Sequence, residues 1–310
     1  MAHPVVAVLI PCYNEAAAVA RVVADFKIAL PFATIYVYDN NSSDDTIDVA
    51  RNAGAIVKSE PQQGKGAVVR RMFRDIEADF YLMVDGDHTY DANLAPKLIN
   101  LAVSESCDLV NCIRCGTEQA AYRTGHRLGN LMLTGAVRSI FGDRVHDMLS
   151  GYKVFSRRFV KSFPITSIGF GIETELTVHA LELQMPVAHI DGPYRGRMEG
   201  SSSKLNTYRD GLRILWLILQ LFKHERPMAF FSILGAFFAL LSVGLGIPLL
   251  RDYMETGLVP RLPTGVLATS IMLLGCLSFV TGLILDTVTR GRREAKMLAY
   301  LNHPIYTVQS

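Results

Sequence analysis

Two long apolar runs near the C-terminus constrain this chain more than any other feature. Residues 228–250 and 264–285 contain no Asp, Glu, Lys or Arg. A helix needs about 20 apolar residues to cross a hydrocarbon core about 30 Å thick. Long helices of soluble proteins keep a polar face, and neither run has one. The sequence therefore predicts two transmembrane helices, at about 228–250 and 264–286, joined as a hairpin within residues 227–288.

Basic residues flank this hairpin at its two outer ends. Lys223 and Arg226 precede the first run, and four basic residues follow the second run within positions 290–296. The connector at 251–263 carries two arginines balanced by two acidic residues. An excess of Lys and Arg marks the cytoplasmic side of a membrane protein. We therefore expect an integral protein of the inner membrane, with its N-terminal region and a tail at 289–310 in the cytoplasm.

An amphipathic pattern precedes the first apolar run. Apolar residues recur at helical spacing among basic and polar ones: Tyr208, Leu212, Leu215, Trp216, Leu219 and Phe222. The segment leads directly into a predicted span and contains the only Trp of the chain. We therefore predict that residues 206–226 form an interfacial helix on the membrane surface. A helix of the soluble domain with one core-facing side is the alternative.

The first 205 residues alternate between β-rich and helical segments. Strands are predicted at 5–10, 34–38, 55–58, 80–84 and 108–113, and helices at 15–29, 44–53, 66–77 and 93–103. This alternation predicts an α/β domain with a mostly parallel sheet covered by helices on both faces. The net charge of +2 and the absence of a long basic run argue against a nucleic-acid partner.

Polar residues follow three of the predicted strands, at the edge where such sheets bind ligands. The segments are 11–15 (PCYNE), 39–44 (DNNSSD) and 85–87 (DGD). Asp85 and Asp87 offer the hard oxygen ligands that Mg²⁺ or Mn²⁺ prefers, and such a cation neutralises a leaving diphosphate. Asp39 can accept a hydrogen bond from a base N–H, which uracil and guanine both carry. Lys65, at the start of a predicted helix, can face phosphate.

Taken together, PCYNE, YDNNSSDDT, GKG and DGD resemble glycosyltransferase family 2 in the order of that family's motifs. The segments SGYKVFSRR (150–158) and RMEGSSSKL (197–205), with the two apolar runs, resemble its polyprenyl-phosphate branch. The resemblance implies a GT-A catalytic domain at residues 1–205. It also implies inverting transfer of a sugar from a UDP- or GDP-linked donor to a polyprenyl phosphate, for cell envelope glycan assembly.

The resemblance also implies roles for individual residues. Asp39 looks like the base-binding aspartate, and Asp87 like the principal metal ligand with Asp85 beside it. Asp147 falls where relatives place a carboxylate near the reacting centre, and Arg197 lies in the acceptor-side loop, so the expected catalytic set is Asp87, Asp147 and Arg197. Further donor contacts are expected at Pro11, Tyr13, Asn14, Glu15, Asn41, Lys65 and Gly86. Acceptor phosphate contacts are expected at Arg123, Arg127, Arg138, Ser203 and Lys204.

Several questions stay open at this point. A transferase acting on a hydroxyl-bearing lipid and an inactive nucleotide-sugar-binding scaffold are both compatible with the motifs. A processive polysaccharide synthase fits less well, because Trp216 is not in the Q-x-x-R-W context usual for those enzymes. Glu173 and Glu175 open another predicted helix, where contact with substrate and complementarity to the helix dipole are both compatible readings. The sugar, the nucleotide and homo-oligomer formation are not specified.

Overall fold

The structure is a computed structural model that divides into two compact units. The first comprises Met1–Ile214 and Ala295–Ser310, and the second comprises Leu215–Glu294. The described residues are 4–115, 132, 134–135, 137–138, 141–142, 146–164, 171–196, 216 and 218–306.

Among the described residues of the first unit, seven strands form one sheet. They are β1 (Val6–Cys12), β2 (Thr34–Asp39), β3 (Ile56–Ser59), β4 (Phe80–Met83), β5 (Leu109–Cys115), β6 (Lys153–Ser156) and β7 (Val187–Pro193). The strand order is β3-β2-β1-β4-β6-β5-β7. Strand β6 runs antiparallel to β4 and β5, and the other pairs are parallel. The predicted mostly parallel sheet is therefore confirmed.

Helices cover both faces of this sheet. They are α1 (Val19–Ala29), α2 (Thr46–Asn52), α3 (Lys65–Asp75), α4 (Ala95–Ser104), α5 (Arg157–Ser162) and α6 (Ile172–Glu182). Along β1, Val8 packs in a cluster with Phe26 of α1, whereas Leu9 packs in a second cluster with Met72 of α3. Successive side chains of a strand point to opposite faces. A strand covered on both faces therefore reads as a continuous apolar run, as β1 does.

The register of the sheet brings the three polar segments to one edge. Cys12 at the end of β1 lies beside Asp39 at the end of β2. On the other side of β1, Leu9 pairs with Met83, the last residue of β4. The chain therefore leaves β1, β2 and β4 at the same edge, and residues 11–15, 39–44 and 85–87 follow there.

Residues 295–306 belong to the first unit and contact its sheet domain. The Tyr300 hydroxyl donates to Asp108 Oδ2 at 2.8 Å, and the Arg158 guanidinium binds the same carboxylate. Arg158 also lies over the Tyr300 ring, 4.7 Å from its centroid. Tyr306 makes an edge contact with Phe80. Within the range expected to be a tail, residues 295–306 are thus part of the sheet domain's packing.

The second unit contains one apolar helix and most of another, whose last residues, from Ala295 on, belong to the first unit. Helix α7 (Pro227–Thr256) and helix α8 (Leu262–Leu301) have 30 and 40 residues and are long and apolar enough to cross a membrane. They approach closely at glycines: a Cβ at Gly235 would lie 2.9 Å from the Gly275 carbonyl oxygen. Ser242 Oγ donates to the Ala268 carbonyl at 2.7 Å. Small residues at the contact are typical of helices packed in membranes.

Candidate functional site

Asp39 provides a buried acceptor at the edge where the polar segments meet. It ends β2 and is 2% exposed. Its Oδ2 accepts the Ser42 N–H at 3.0 Å, whereas no described residue donates to its buried Oδ1. A buried carboxylate oxygen without a donor costs free energy. The geometry therefore leaves Oδ1 available to accept a hydrogen bond from a bound molecule.

Asn14 connects the segment after β1 with the segment after β2. Its Oδ1 accepts the Ser43 N–H at 2.7 Å, and its own N–H donates to Ser42 Oγ at 2.8 Å. Asn14 has a φ of 55°, which asparagine tolerates better than most residues with a side chain. The predicted donor contacts Pro11, Tyr13 and Glu15 flank it on this segment, and Tyr13 is 38% exposed.

Asn40 and Asn41 connect the same region with the loop before α3. Asn40 is 4% exposed, donates to the carbonyls of Glu60 and Gln62, and accepts the Gly64 N–H at 2.7 Å. Asn41 donates to the Pro61 carbonyl at 2.8 Å. These amides therefore hold the loop that presents Lys65, the first residue of α3.

The D-G-D segment follows β4 and carries two carboxylates in different settings. Asp87 is 4% exposed, and its Oδ1 accepts the Thr89 hydroxyl at 2.7 Å. The Asp85 side chain is 30% exposed. Gly86 between them lies against β1, because a Cβ there would be 2.6 Å from Cys12 Sγ. Gly86 therefore lets the segment pack close to the end of β1.

The carboxylate oxygens of Asp85 and Asp87 suit a divalent cation whose remaining ligands come from a diphosphate and water. Among the described residues, no group of three or more His, Cys, Asp or Glu side chains is placed to hold a metal ion. Mg²⁺ typically takes one or two carboxylates together with phosphate oxygens and water. Asp85 and Asp87 supply such a partial set, so the site suits a cation that arrives with a phosphorylated ligand.

Lys65 forms two ion pairs at this edge. Its Nζ lies 2.5 Å from Asp85 Oδ1 and 2.5 Å from Glu173 Oε1. Burial lowers the pKa of Lys65, but the attraction of Asp85 and Glu173 outweighs burial and raises the pKa above its ordinary value. Lys65 is therefore a stable cation. The two readings left open for Glu173 are joined by a third, an ion pair with this lysine.

Asp147, expected near the reacting centre, is held by an arginine. Arg114 Nε donates to Oδ2 at 2.7 Å and Nη2 donates to Oδ1 at 2.6 Å. The Asp147 side chain is 7% exposed. Burial raises the pKa of Asp147, but the hydrogen bonds and charge of Arg114 outweigh burial and lower it below its ordinary value. Arg114 is one residue beyond the predicted end of its strand, so the strand-end rule could have identified it.

A buried lysine supports the loop that carries Asp147. Lys153 is 0% exposed, and its Nζ donates to Asn111 Oδ1 at 2.6 Å. The Asn111 amide donates to the backbone carbonyls of His146 and Asp147 at 2.8 and 3.2 Å. Burial lowers the pKa of Lys153 to about 8. The network fixes the backbone at Asp147, whose φ is 50°.

The predicted acceptor contacts are only partly within the described residues. Arg138 lies beside His146, with a contact between its guanidinium and the imidazole Nδ1. The other predicted acceptor-side residues lie outside the described ones, namely Arg123, Arg127, Arg197, Ser203 and Lys204. Their roles stay predictions.

Comparison with known proteins identifies the family. The family model of Glycosyl transferase family 2 matches residues 7–163. Glycosyltransferase AglJ of Haloferax volcanii is 35% identical over 254 residues, covering 80% of this chain and 81% of the relative. A dolichyl-phosphate hexose transferase of the same organism is 26% identical over 220 residues, covering 71% and 95%.

Solved structures share the fold. Glucosyl-3-phosphoglycerate synthase of Mycobacterium tuberculosis matches with a TM-score of 0.58 at 22% identity, covering 71% of this chain and 80% of that one. The same enzyme with Mg²⁺ and uridine diphosphate gives a TM-score of 0.59, covering 71% and 79%. The fold is that of GT-A enzymes, and the chain belongs to glycosyltransferase family 2.

Proposed function

We propose that this glycosyltransferase moves a sugar from a nucleotide-sugar to a polyprenyl phosphate, with inversion, at the cytoplasmic face of the inner membrane. One observation carries the proposal: Asp39 Oδ1, to which no described residue donates, lies on the same sheet edge as Asp85 and Asp87. An acceptor for a base N–H and a pair of carboxylates for a cation are what a nucleoside diphosphate requires. The solved relative with Mg²⁺ and uridine diphosphate supports this donor class.

Asp39, Asp85 and Asp87 take different roles in the proposed reaction. Asp39 accepts from the base, and Asp85 and Asp87 would hold a divalent cation, which neutralises the leaving diphosphate when bound. An oxygen of the acceptor phosphate attacks the anomeric carbon, and the bond to the diphosphate breaks on the opposite face. A phosphate monoester has a second pKa of about 6, so it is largely ionised near neutral pH. The protein then mainly has to bring two anions together and screen their repulsion.

A lipid acceptor is supported by the relatives and by the second unit. The name of the dolichyl-phosphate hexose transferase states a polyprenyl-type acceptor. Helices α7 and α8 are long enough to anchor the chain, and we assign them as spans within 227–288. Trp216 and Leu219 are 60% and 46% exposed. Exposed apolar side chains of this kind suit a helix that lies on a membrane surface, so we assign residues 206–226 as an interfacial helix and 1–205 as the catalytic domain.

The test is a panel of nucleotide-sugars incubated with the detergent-solubilised chain and polyprenyl phosphate, with the lipid product identified by mass. We expect one donor to give a polyprenyl-phosphate sugar, and we expect Asp87→Asn and excess EDTA each to remove nearly all turnover. Asp45→Asn serves as the control, because Asp45 is an exposed carboxylate of the neighbouring segment. Full activity in EDTA would refute the metal assignment.

The same panel separates the alternatives. Transfer to diacylglycerol or ceramide, with none to polyprenyl phosphate, would establish a hydroxyl-bearing lipid as the acceptor. Binding of UDP or GDP without turnover of any donor on any lipid would establish a scaffold. Either result would overturn the proposal.

A further inference from the structure

Lys65 lies where it blocks one of the two carboxylates assigned to the cation. Its Nζ is 2.5 Å from Asp85 Oδ1, which is hydrogen-bonding distance, so it takes up one of the two oxygens that Asp85 can offer a metal ion. An ammonium and a divalent cation repel each other, so Lys65 at Asp85 Oδ1 opposes binding of a cation to that oxygen. Cation binding through Asp85 Oδ1 is therefore favoured when Lys65 leaves Asp85.

Lys65 is the partner that moves, because Asp85 is confined. A Cβ at Gly151 would lie 2.1 Å from Asp85 Oδ2, so the Asp85 carboxylate rests directly against the Gly151 backbone. Lys65, in contrast, has a flexible four-carbon stem that lets its ammonium move.

Glu173 gives Lys65 a second position. Its Oε1 is already 2.5 Å from Lys65 Nζ, and its side chain is 16% exposed. Glu173 lies in the first turn of α6, where a negative charge is favoured by the helix dipole. It therefore remains ion-paired to the ammonium after Asp85 has been given up.

We propose that Lys65 occupies the cation position of Asp85 in the nucleotide-free protein and that Glu173 retains Lys65 when the cation displaces it. The inference rests on the proposed function, since it concerns the same cation. Glu173 is then a positioning residue that sets cation affinity through Lys65. Without Glu173, Lys65 would pair with Asp85 alone and compete more strongly with the cation.

The test measures Mn²⁺ binding directly, by titration calorimetry and by the electron paramagnetic resonance of free Mn²⁺, with and without UDP. Glu173→Gln should weaken Mn²⁺ binding about 3- to 30-fold, in the range of couplings between contacting residues. Glu175→Gln removes the same charge two residues away and serves as the matched control, with a smaller expected loss. Lys65→Met should strengthen the binding of Mn²⁺ alone.

The double variant Lys65→Met/Glu173→Gln isolates the proposed route. If Glu173 acts through Lys65, adding Glu173→Gln to Lys65→Met should cost no more than Glu175→Gln does. A loss of the same size with and without Lys65 would show that Glu173 acts by its charge alone and would overturn the inference. Absence of Mn²⁺ binding by the unaltered chain, with Asp87→Asn unchanged from it, would instead refute the metal assignment in the proposed function.

Discussion

Replacing Asp39 with asparagine should weaken nucleotide binding about 10- to 150-fold. The carboxylate has two acceptor oxygens: Oδ2 accepts the Ser42 N–H at 3.0 Å, and Oδ1 is buried with no donor among the described residues. An amide has one acceptor oxygen, so in either orientation its NH₂ group faces one of the two N–H donors. A hydrogen bond to a charged group contributes about 1.5–3 kcal/mol, which corresponds to that change in Kd.

The assay is calorimetric titration of UDP and of GDP, with Mg²⁺, into the detergent-solubilised chain and its variants. Asp45→Asn removes one negative charge directly after the same segment without altering a buried acceptor, and it should change Kd less than about 3-fold, as expected for an exposed charge. An unchanged Kd in Asp39→Asn would refute the assignment of Asp39 to the base. An equal loss in Asp45→Asn would show that the field of the segment, and not the acceptor, is responsible.

Two further predictions concern stability. Tyr300→Phe should lower the free energy of unfolding by about 1.5–3 kcal/mol, because it removes the hydroxyl that donates to Asp108 and keeps the ring that Arg158 contacts. Thermal unfolding of the full chain measures this loss of stability, and an unchanged Tm would contradict the prediction. Burial, and then the charge of Lys296, lowers the pKa of His179 to about 3. The unfolded chain, with a histidine pKa of about 6.5, therefore binds a proton that the native state does not, and stability falls as pH drops from about 6.5 towards 3. His179→Gln should reduce the slope of the free energy of unfolding against pH between pH 4 and 6, by up to about 1.4 kcal/mol per pH unit. Denaturant unfolding at several pH values measures this slope, and an unaltered slope would contradict the prediction.

The parts of the fold that follow from local pattern were predictable from the sequence. The five predicted strands all occur, because β1 and β4 are apolar runs and the others are short runs that contain Val, Ile or Tyr. Strand β6 was missed, since its four residues include the buried Lys153. The burial of Lys153 depends on a hydrogen bond to Asn111, which is 42 positions away in the sequence. Strand β7 was missed because it ends in Gly and Pro, which usually mark turns.

The site divides in the same way. The placement of Asp39, Asp85 and Asp87 at one edge was predictable, because residues that follow neighbouring parallel strands meet at the same edge of a sheet. The partners of charged groups were not. Lys65 pairs with Glu173 across 108 positions, and Arg114 pairs with Asp147 across 33. Which charged groups pair depends on distances in the folded structure, and the spacing of residues along the sequence does not predict those distances.

The setting of Asp147 bears on the identity of the acceptor. A general base works best when its pKa lies near the working pH, and its loss costs about 100- to 10,000-fold in rate. Arg114 holds both Asp147 oxygens and, against the effect of burial, brings the pKa of this carboxyl below its usual range. We therefore expect Asp147 to be a weak base that holds Arg114 in place. A hydroxyl acceptor would need a base here, whereas an ionised phosphate needs none.

Asp147→Asn should accordingly lower kcat by less than about 100-fold, below the cost of losing a base. It should lower kcat less than Arg114→Met, because the asparagine oxygen can still accept from the guanidinium. The acidic limb of the rate profile should stay near pH 6 in the unaltered chain and in Asp147→Asn, since it reports the ionisation of the lipid phosphate. Rates from pH 5 to 8 at saturating donor measure both quantities. A larger loss in Asp147→Asn than in Arg114→Met, with the acidic limb abolished, would make Asp147 the base. The acceptor would then be a lipid hydroxyl, because that group has a proton to remove at neutral pH.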